Sequence, residues 1–145
     1  MRNLEDKFQA EFVLWFGQTW PEYNKRLFEV YNNPKSEAHG AYRKAMGMKA
    51  GVSDLILQVP ILGKMAGLEC KAPGSTWARA KIQQQFNWGI ETIKQGGFYI
   101  MTGDLMQLKA YTTALINNDI PKALGIQTKA LNFVKSQFKN KTIKF

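Results

Sequence analysis

The chain is expected to fold as an α/β domain, a small mixed sheet with helices on its faces. Three observations carry that expectation. Segments with helical spacing of apolar residues alternate with short runs rich in branched side chains. Two of those runs are separated by a turn short enough to make a hairpin. A chain of 145 residues suffices for one well-cored domain but not for two. No repeat, low-complexity tract or Ser/Gly/Pro-rich linker divides it.

Taken in order, Leu4, Phe8, Phe12 and Trp15 recur at helical spacing and predict a first helix with one apolar face. Gly17 is expected to end it, and Pro21 to keep it ended. Arg26 to Tyr31 alternates as a strand closed by Asn32, Asn33 and Pro34. Ser36 can cap a short helix from Glu37 to about Met46. Asp54 to Val59 reads as a strand, Pro60 to Lys64 as a turn, and Met65 to Ala72 as the returning strand. A long helix from about Ala78 to Gln95 stops at Gly96 and Gly97. Phe98 to Met101 is a third buried strand, and Asp104 caps a helix running towards Asn117. Residues 1–120 thus form the expected domain, and residues 121–145 a basic extension packed on it or projecting from it.

Composition narrows the function classes. The single cysteine, Cys70, excludes an internal disulfide and a zinc site of several thiolates, and His39 is the only histidine. No run approaches the length of uninterrupted apolar residues that a membrane span needs. The acids Glu5 and Asp6 stand where a secretory signal would need basic and then apolar residues, so a cytoplasmic location is expected. Twenty Lys and Arg against eleven Asp and Glu give a net charge of +9, which favours a polyanionic partner such as nucleic acid. Lys122, Lys129, Lys135, Lys139, Lys141 and Lys144 fall in a C-terminal stretch with no acid. That stretch is either a solubilising tail or a surface that grips phosphates.

The hairpin carries the chemistry. If it folds back about Ile61 and Leu62, facing residues have numbers that sum to 123, and Asp54 opposes Glu69. Their Cβ atoms would stand roughly 5 Å apart, which destabilises a sheet unless something positive lies between them. Lys71 shares a face with Glu69, while Cys70 points the other way. Two carboxylates and an amine at the end of two strands suit a hard divalent cation, which takes a few carboxylate oxygens, a carbonyl, waters and substrate phosphate. Taken singly, a Glu-x-Lys is an ordinary strand edge and an Asp at a strand start an ordinary turn residue; the opposed register is what raises the pair above that.

Gly51-Val52-Ser53-Asp54, then fourteen residues, then Glu69-Cys70-Lys71, resembles the PD-(D/E)xK nuclease signature. The stretch from Ala45 to Leu57, with Gly67-Leu68-Glu69-Cys70-Lys71-Ala72-Pro73-Gly74, is similar to the VRR-NUC branch, notably the small stand-alone members of phages and bacteria. The resemblance runs from the first helix to about Asn118 and leaves the basic extension outside. Ser53 stands where that family usually has proline, which is expected to alter the turn more than the chemistry.

The resemblance implies a restriction-endonuclease-like core. It also implies Mg²⁺ or Mn²⁺ held by Asp54, Glu69 and the Cys70 carbonyl, with Lys71 orienting or deprotonating the attacking water. It adds an acid on the first helix in a Glu-x-x-x-Gln arrangement, which Glu5 and Gln9 match. Glu11 competes, because it lies among Phe8, Phe12 and Trp15, where a carboxylate needs a reason to be. It adds a glutamine on the helix after the lysine strand. There the apolar face centres on Ile82, Phe86, Gly89, Ile90 and Ile93, so Gln84 points to solvent and Gln83 and Gln85 flank the face. Gln85 stands eleven residues before Gly96, the spacing the resemblance favours.

Arg43, Lys44 and Lys49, just before Asp54, are candidate phosphate clamps or ordinary surface charge. Trp77 and Trp88 fall off the apolar face and are candidates for base stacking or a subunit interface. The expected function is a metal-dependent DNA endonuclease, with branched or junction DNA as its candidate substrate and a homo-oligomer as its expected state. The alternatives are a non-catalytic nucleic-acid-binding module of the same fold and an assembly protein whose aromatic surface serves only self-association.

Overall fold

The computed structural model describes residues 3–32, 34–73 and 79–137, with the side chains of Arg79 and Ala80 outside the description. The sheet has four strands, β1 (Leu27–Glu29), β2 (Leu55–Gln58), β3 (Met65–Cys70) and β4 (Phe98–Thr102), in that spatial order. β1 with β2 and β2 with β3 are antiparallel, and β3 with β4 is parallel. The helices are α1 (Leu4–Thr19), α2 (Glu37–Ala45), α3 (Arg79–Lys94), α4 (Leu105–Ile116) and α5 (Ile120–Gln137). This is the mixed sheet flanked by helices that the sequence predicts.

The alternation along the strands sorts the core into two halves. Leu55, Leu57, Ala66, Leu68, Cys70, Phe98 and Ile100 are buried with residues of α1 and α4, while Tyr99 and Met101 belong to a second cluster with Ile82 and Phe86 of α3. α3 is the crossover that a parallel β3–β4 pair requires. It lies so close to the sheet that a Cβ on Gly89 would run into the Tyr99 ring, so this position needs glycine.

Several expectations shift. α1 runs through Gly17 to Thr19, and its inward residues are Phe8, Phe12 and Phe16, with Leu4 exposed and Trp15 half-buried. Trp15 instead meets Trp20 edge-on at 5.2 Å, under the Lys109 ammonium. A 3-10 turn over Pro21–Arg26 takes up part of the expected first strand, whose paired residues are Leu27–Glu29. In α3 the buried residues include Thr92, while Ile90 and Ile93 are half-buried. Thr92 lies seven residues after Gln85, on the same line of the helix, so the rotation that buries Thr92 also carries Gln85 towards the sheet.

The largest departure is C-terminal. The first part of the expected basic extension is helix α5, with Ala123, Gln127, Ala130 and Val134 buried. Pro121 stands in its first turn, where the missing N–H costs nothing. Gln127 Oε1 accepts the Tyr99 N–H (3.0 Å) and the Tyr111 hydroxyl (2.6 Å), so α5 closes the outer edge of β4 with a side chain. Lys139, Lys141 and Lys144 lie outside the described residues.

Candidate functional site

The hairpin register is the predicted one, with Leu55 opposite Leu68 and Gln58 opposite Met65. One rung further, side chains replace the ladder. The Asp54 N–H donates to Glu69 Oε2 at 3.2 Å, and the Cys70 N–H donates to Asp54 Oδ2 at 2.9 Å. On its other side Asp54 keeps the sheet bond, its carbonyl accepting the Val30 N–H at 2.9 Å. The two acids are thus clipped together by each other's strands, at the end of β3 that faces away from the hairpin turn.

Lys71 completes the cluster. Its backbone N–H donates to the Thr102 carbonyl at 2.9 Å, which carries the β3–β4 pairing one residue beyond β3. Its ammonium donates to Gln85 Oε1 at 2.6 Å and lies 3.5 Å from Glu69 Oε1. Gln83 bonds Asn87 instead, so Gln85 is the glutamine that reaches the site. The Tyr99 hydroxyl donates to the Gln85 carbonyl at 3.1 Å and fixes that turn of α3. Thr102 braces the far side through its hydroxyl, which donates to Gln107 Oε1 at 2.6 Å. No motif marks Tyr99 or Thr102 in the sequence; only their strand position next to the lysine strand could have found them.

The electrostatics are those of an undercompensated anionic pocket. Glu69 is 0% exposed, and burial first and the Asp54 charge second push its carboxyl well above the usual range, against the opposing pull of Lys71. Asp54 is raised by burial, with the Cys70 N–H acting against the shift. Burial also raises Glu5, in the first turn of α1, with Asp54 adding to the shift and Lys71 lowering it. Glu11 is exposed, and the apolar surroundings expected for it are absent because α1 is rotated towards Phe16; Glu5 is the first-helix acid within electrostatic reach of Asp54 and Lys71.

Glu69 Oε1 is buried without a hydrogen-bond partner, an oxygen that a hard cation would satisfy. Among the described residues, no group of three His, Cys, Asp or Glu side chains is gathered to hold a metal by itself. Asp54, Glu69 and a backbone carbonyl are the groups that could hold a cation there, with Glu5 in electrostatic reach of Asp54. That set suits Mg²⁺, which keeps waters and shares substrate phosphate oxygens. The Cys70 thiol is buried, and burial raises it well above the usual thiol range, which excludes it as a nucleophile.

The structure brings Glu5, Asp54, Glu69, Lys71 and Gln85 together. The Arg43 guanidinium lies 4.8 Å over the Tyr31 ring, and Lys44 and Lys49 are exposed. Trp88 is half-buried, edge-on to Tyr99 at 6.1 Å, in a cleft of about 360 Å³ with Met65 and Thr92, by the opposite end of β3 from the acids. Trp77 lies outside the described residues. Among the described residues no helix is long and apolar enough to cross a membrane.

Neither a family model nor a curated protein matches the chain. A solved structure described as a VRR_NUC domain protein is similar to it, with 19% identity, 70% of this chain and 79% of that chain covered, and a TM-score of 0.53. At that identity the likeness bears on the fold, which is restriction-endonuclease-like.

Proposed function

We propose that the chain is a Mg²⁺- or Mn²⁺-dependent nuclease that hydrolyses phosphodiester bonds in DNA. The observation that carries this reading is the clipped acid pair with one orphaned, wholly buried carboxylate oxygen 3.5 Å from a lysine. A buried pair of like charges is costly to fold, and a bound cation is the simplest reason to keep one.

Asp54, Glu69 and the Cys70 carbonyl would hold the cation. When bound, the cation neutralises charge on the scissile phosphate and lowers the pKa of water. Gln85 and Glu69 fix the Lys71 ammonium from two sides, so it enters the reaction already positioned. Its donors and its charge are then available to the attacking water and to the non-bridging oxygens as negative charge builds on them. Water adds to phosphorus as the bond to the leaving oxygen breaks, and the water's proton passes to solvent or to that leaving oxygen. Glu5, half-buried and in electrostatic reach of both Asp54 and Lys71, would accept a hydrogen bond from water at the cation.

Supercoiled, single-stranded and four-way-junction DNA, each with EDTA, Mg²⁺ or Mn²⁺, test the reading. Wild-type protein should cleave at least one of them with metal only, and Asp54→Ala and Lys71→Ala should abolish cleavage while leaving DNA binding largely intact. Metal-independent binding without cleavage on every substrate would replace the enzyme with a binding module of the same fold.

A further inference from the structure

Charge on this molecule is segregated by element. α1 carries Glu5, Asp6 and Glu11 against Lys7, and Glu5 stands at the acid site itself. A polyanion approaching that site meets repulsion before it meets a bound cation, so attraction has to come from elsewhere. From Leu105 to Gln137, over α4 and α5, four lysines face the single acid Asp119. Asp119 is spent at the start of α5, its carboxylate facing the Lys122 N–H. Beyond it α5 has no acid, and Lys122, Lys129 and Lys135 are all exposed.

Their arrangement is directional. Lys122 and Lys129 are two turns apart on one line of the helix, and Lys135 stands on the other flank of its outer side. From first to last they span about 20 Å along the axis, about six base pairs at roughly 3.4 Å each. α5 packs along β4. Gln127 meets Tyr99 at the start of the strand. Val134 belongs to the cluster of Met101, Ile82 and Phe86. Met101 is the register partner of Glu69, and Ile82 and Phe86 flank Gln85 on α3. That cluster also holds Tyr99, so the second half of α5 packs on the group that supports both the register partner of Glu69 and the helix of Gln85. Its inward face is consumed against the core; outward it offers lysines and neutral polar groups, with Leu124 and Phe133 exposed on opposite flanks rather than as the continuous apolar stripe that a bilayer takes.

We infer that the outer face of α5 is a track for the sugar-phosphate backbone of nucleic acid, with Lys122, Lys129 and Lys135 leading the strand towards the Asp54–Glu69 site. The inference rests on the nuclease reading for its destination but not for its measurement. Binding is read in EDTA, by fluorescence anisotropy of a labelled 20-base-pair duplex across a salt series. Lys122→Gln/Lys129→Gln/Lys135→Gln is compared with wild type and with Lys35→Gln/Lys64→Gln/Lys94→Gln, which removes the same charge from other exposed positions.

The α5 variant should lower the slope of log affinity against log salt by about 2 to 3, at roughly 0.9 per phosphate contact, and the control by less than 1. Hydrolysis of a small chromogenic phosphodiester with Mn²⁺ should be unchanged in both. An unchanged slope, or equal losses in the two variants, overturns the track. So does a loss confined to phosphatidylserine vesicles, which would assign the face to a membrane. Absence of metal-dependent hydrolysis in wild type, with the slope difference intact, would remove the nuclease reading and leave the track standing.

Discussion

The acid pair makes stability depend on pH in a direction opposite to that of most paired carboxylates. Glu69 and Asp54 are both raised above their ordinary values of 4.5 and 3.8, and burial leads the causes in each. With carboxyls raised in the folded state, the folded chain binds more protons than the unfolded chain once pH exceeds those ordinary values. The pair's contribution to the derivative of unfolding free energy with pH is then negative, so the stability it adds without metal is greatest at low pH and is lost as pH rises through the folded-state pKa values. Each proton held only by the folded state contributes a slope of up to about 1.4 kcal/mol per pH unit. A divalent cation that binds the ionised pair reverses the trend, because its affinity grows as the protons leave. Urea denaturation at half-unit steps from pH 5 to 8, in EDTA and in 5 mM Mn²⁺, reads both effects. Glu69→Gln keeps the shape and removes the charge, so it should flatten the EDTA curve and lose most of the manganese stabilisation. A wild-type curve that is flat in EDTA, or a Glu69→Gln curve that follows wild type, would refute the reasoning.

Two further outcomes follow from close contacts. Gly89→Ala drives a methyl into the Tyr99 ring and should destabilise by about 1 to 3 kcal/mol in urea melts. It should also slow cleavage in the folded fraction, because Tyr99 anchors the turn that presents Gln85 to Lys71. Ser53→Ala removes a buried hydroxyl that has no hydrogen-bond partner and stands against Gly67, and should raise stability by about 1 kcal/mol without changing metal dependence.

How much of this was legible in the sequence depends on whether a local pattern decided it. The β2–β3 register followed from the turn and the period of two, so the meeting of Asp54 with Glu69, and Lys71 on the Glu69 face, could be read directly. The spacing to Gly96 that the resemblance implies separates Gln85 from its neighbours, while the helix rotation that delivers it shows in Thr92, which is buried where Ile90 and Ile93 are only half-buried. In α1 the spacing of Phe12 to Trp15 and of Phe12 to Phe16 is equally helical, and only the fit of indole beside Trp20 chose Phe16 for the interior. That choice exposes Glu11. α5 was hidden by Pro121, Gly125 and its lysines, and by an inward line of Ala123, Gln127, Ala130 and Val134 that is too small and too polar to read as a core face. Arg43 was read by position alone, and a tyrosine from the end of β1 holds it.

The bond from Gln127 to the Tyr99 amide has a consequence for the chain's architecture. The helix that guards the last strand against pairing with another chain also bears half of the chain's C-terminal lysines. A shortened form ending after α4 would lose its electrostatic reach and bare a sticky sheet margin in one stroke. The stretch Ile120–Gln137, with three of those lysines, is therefore a structural member of the domain rather than an appendage to it.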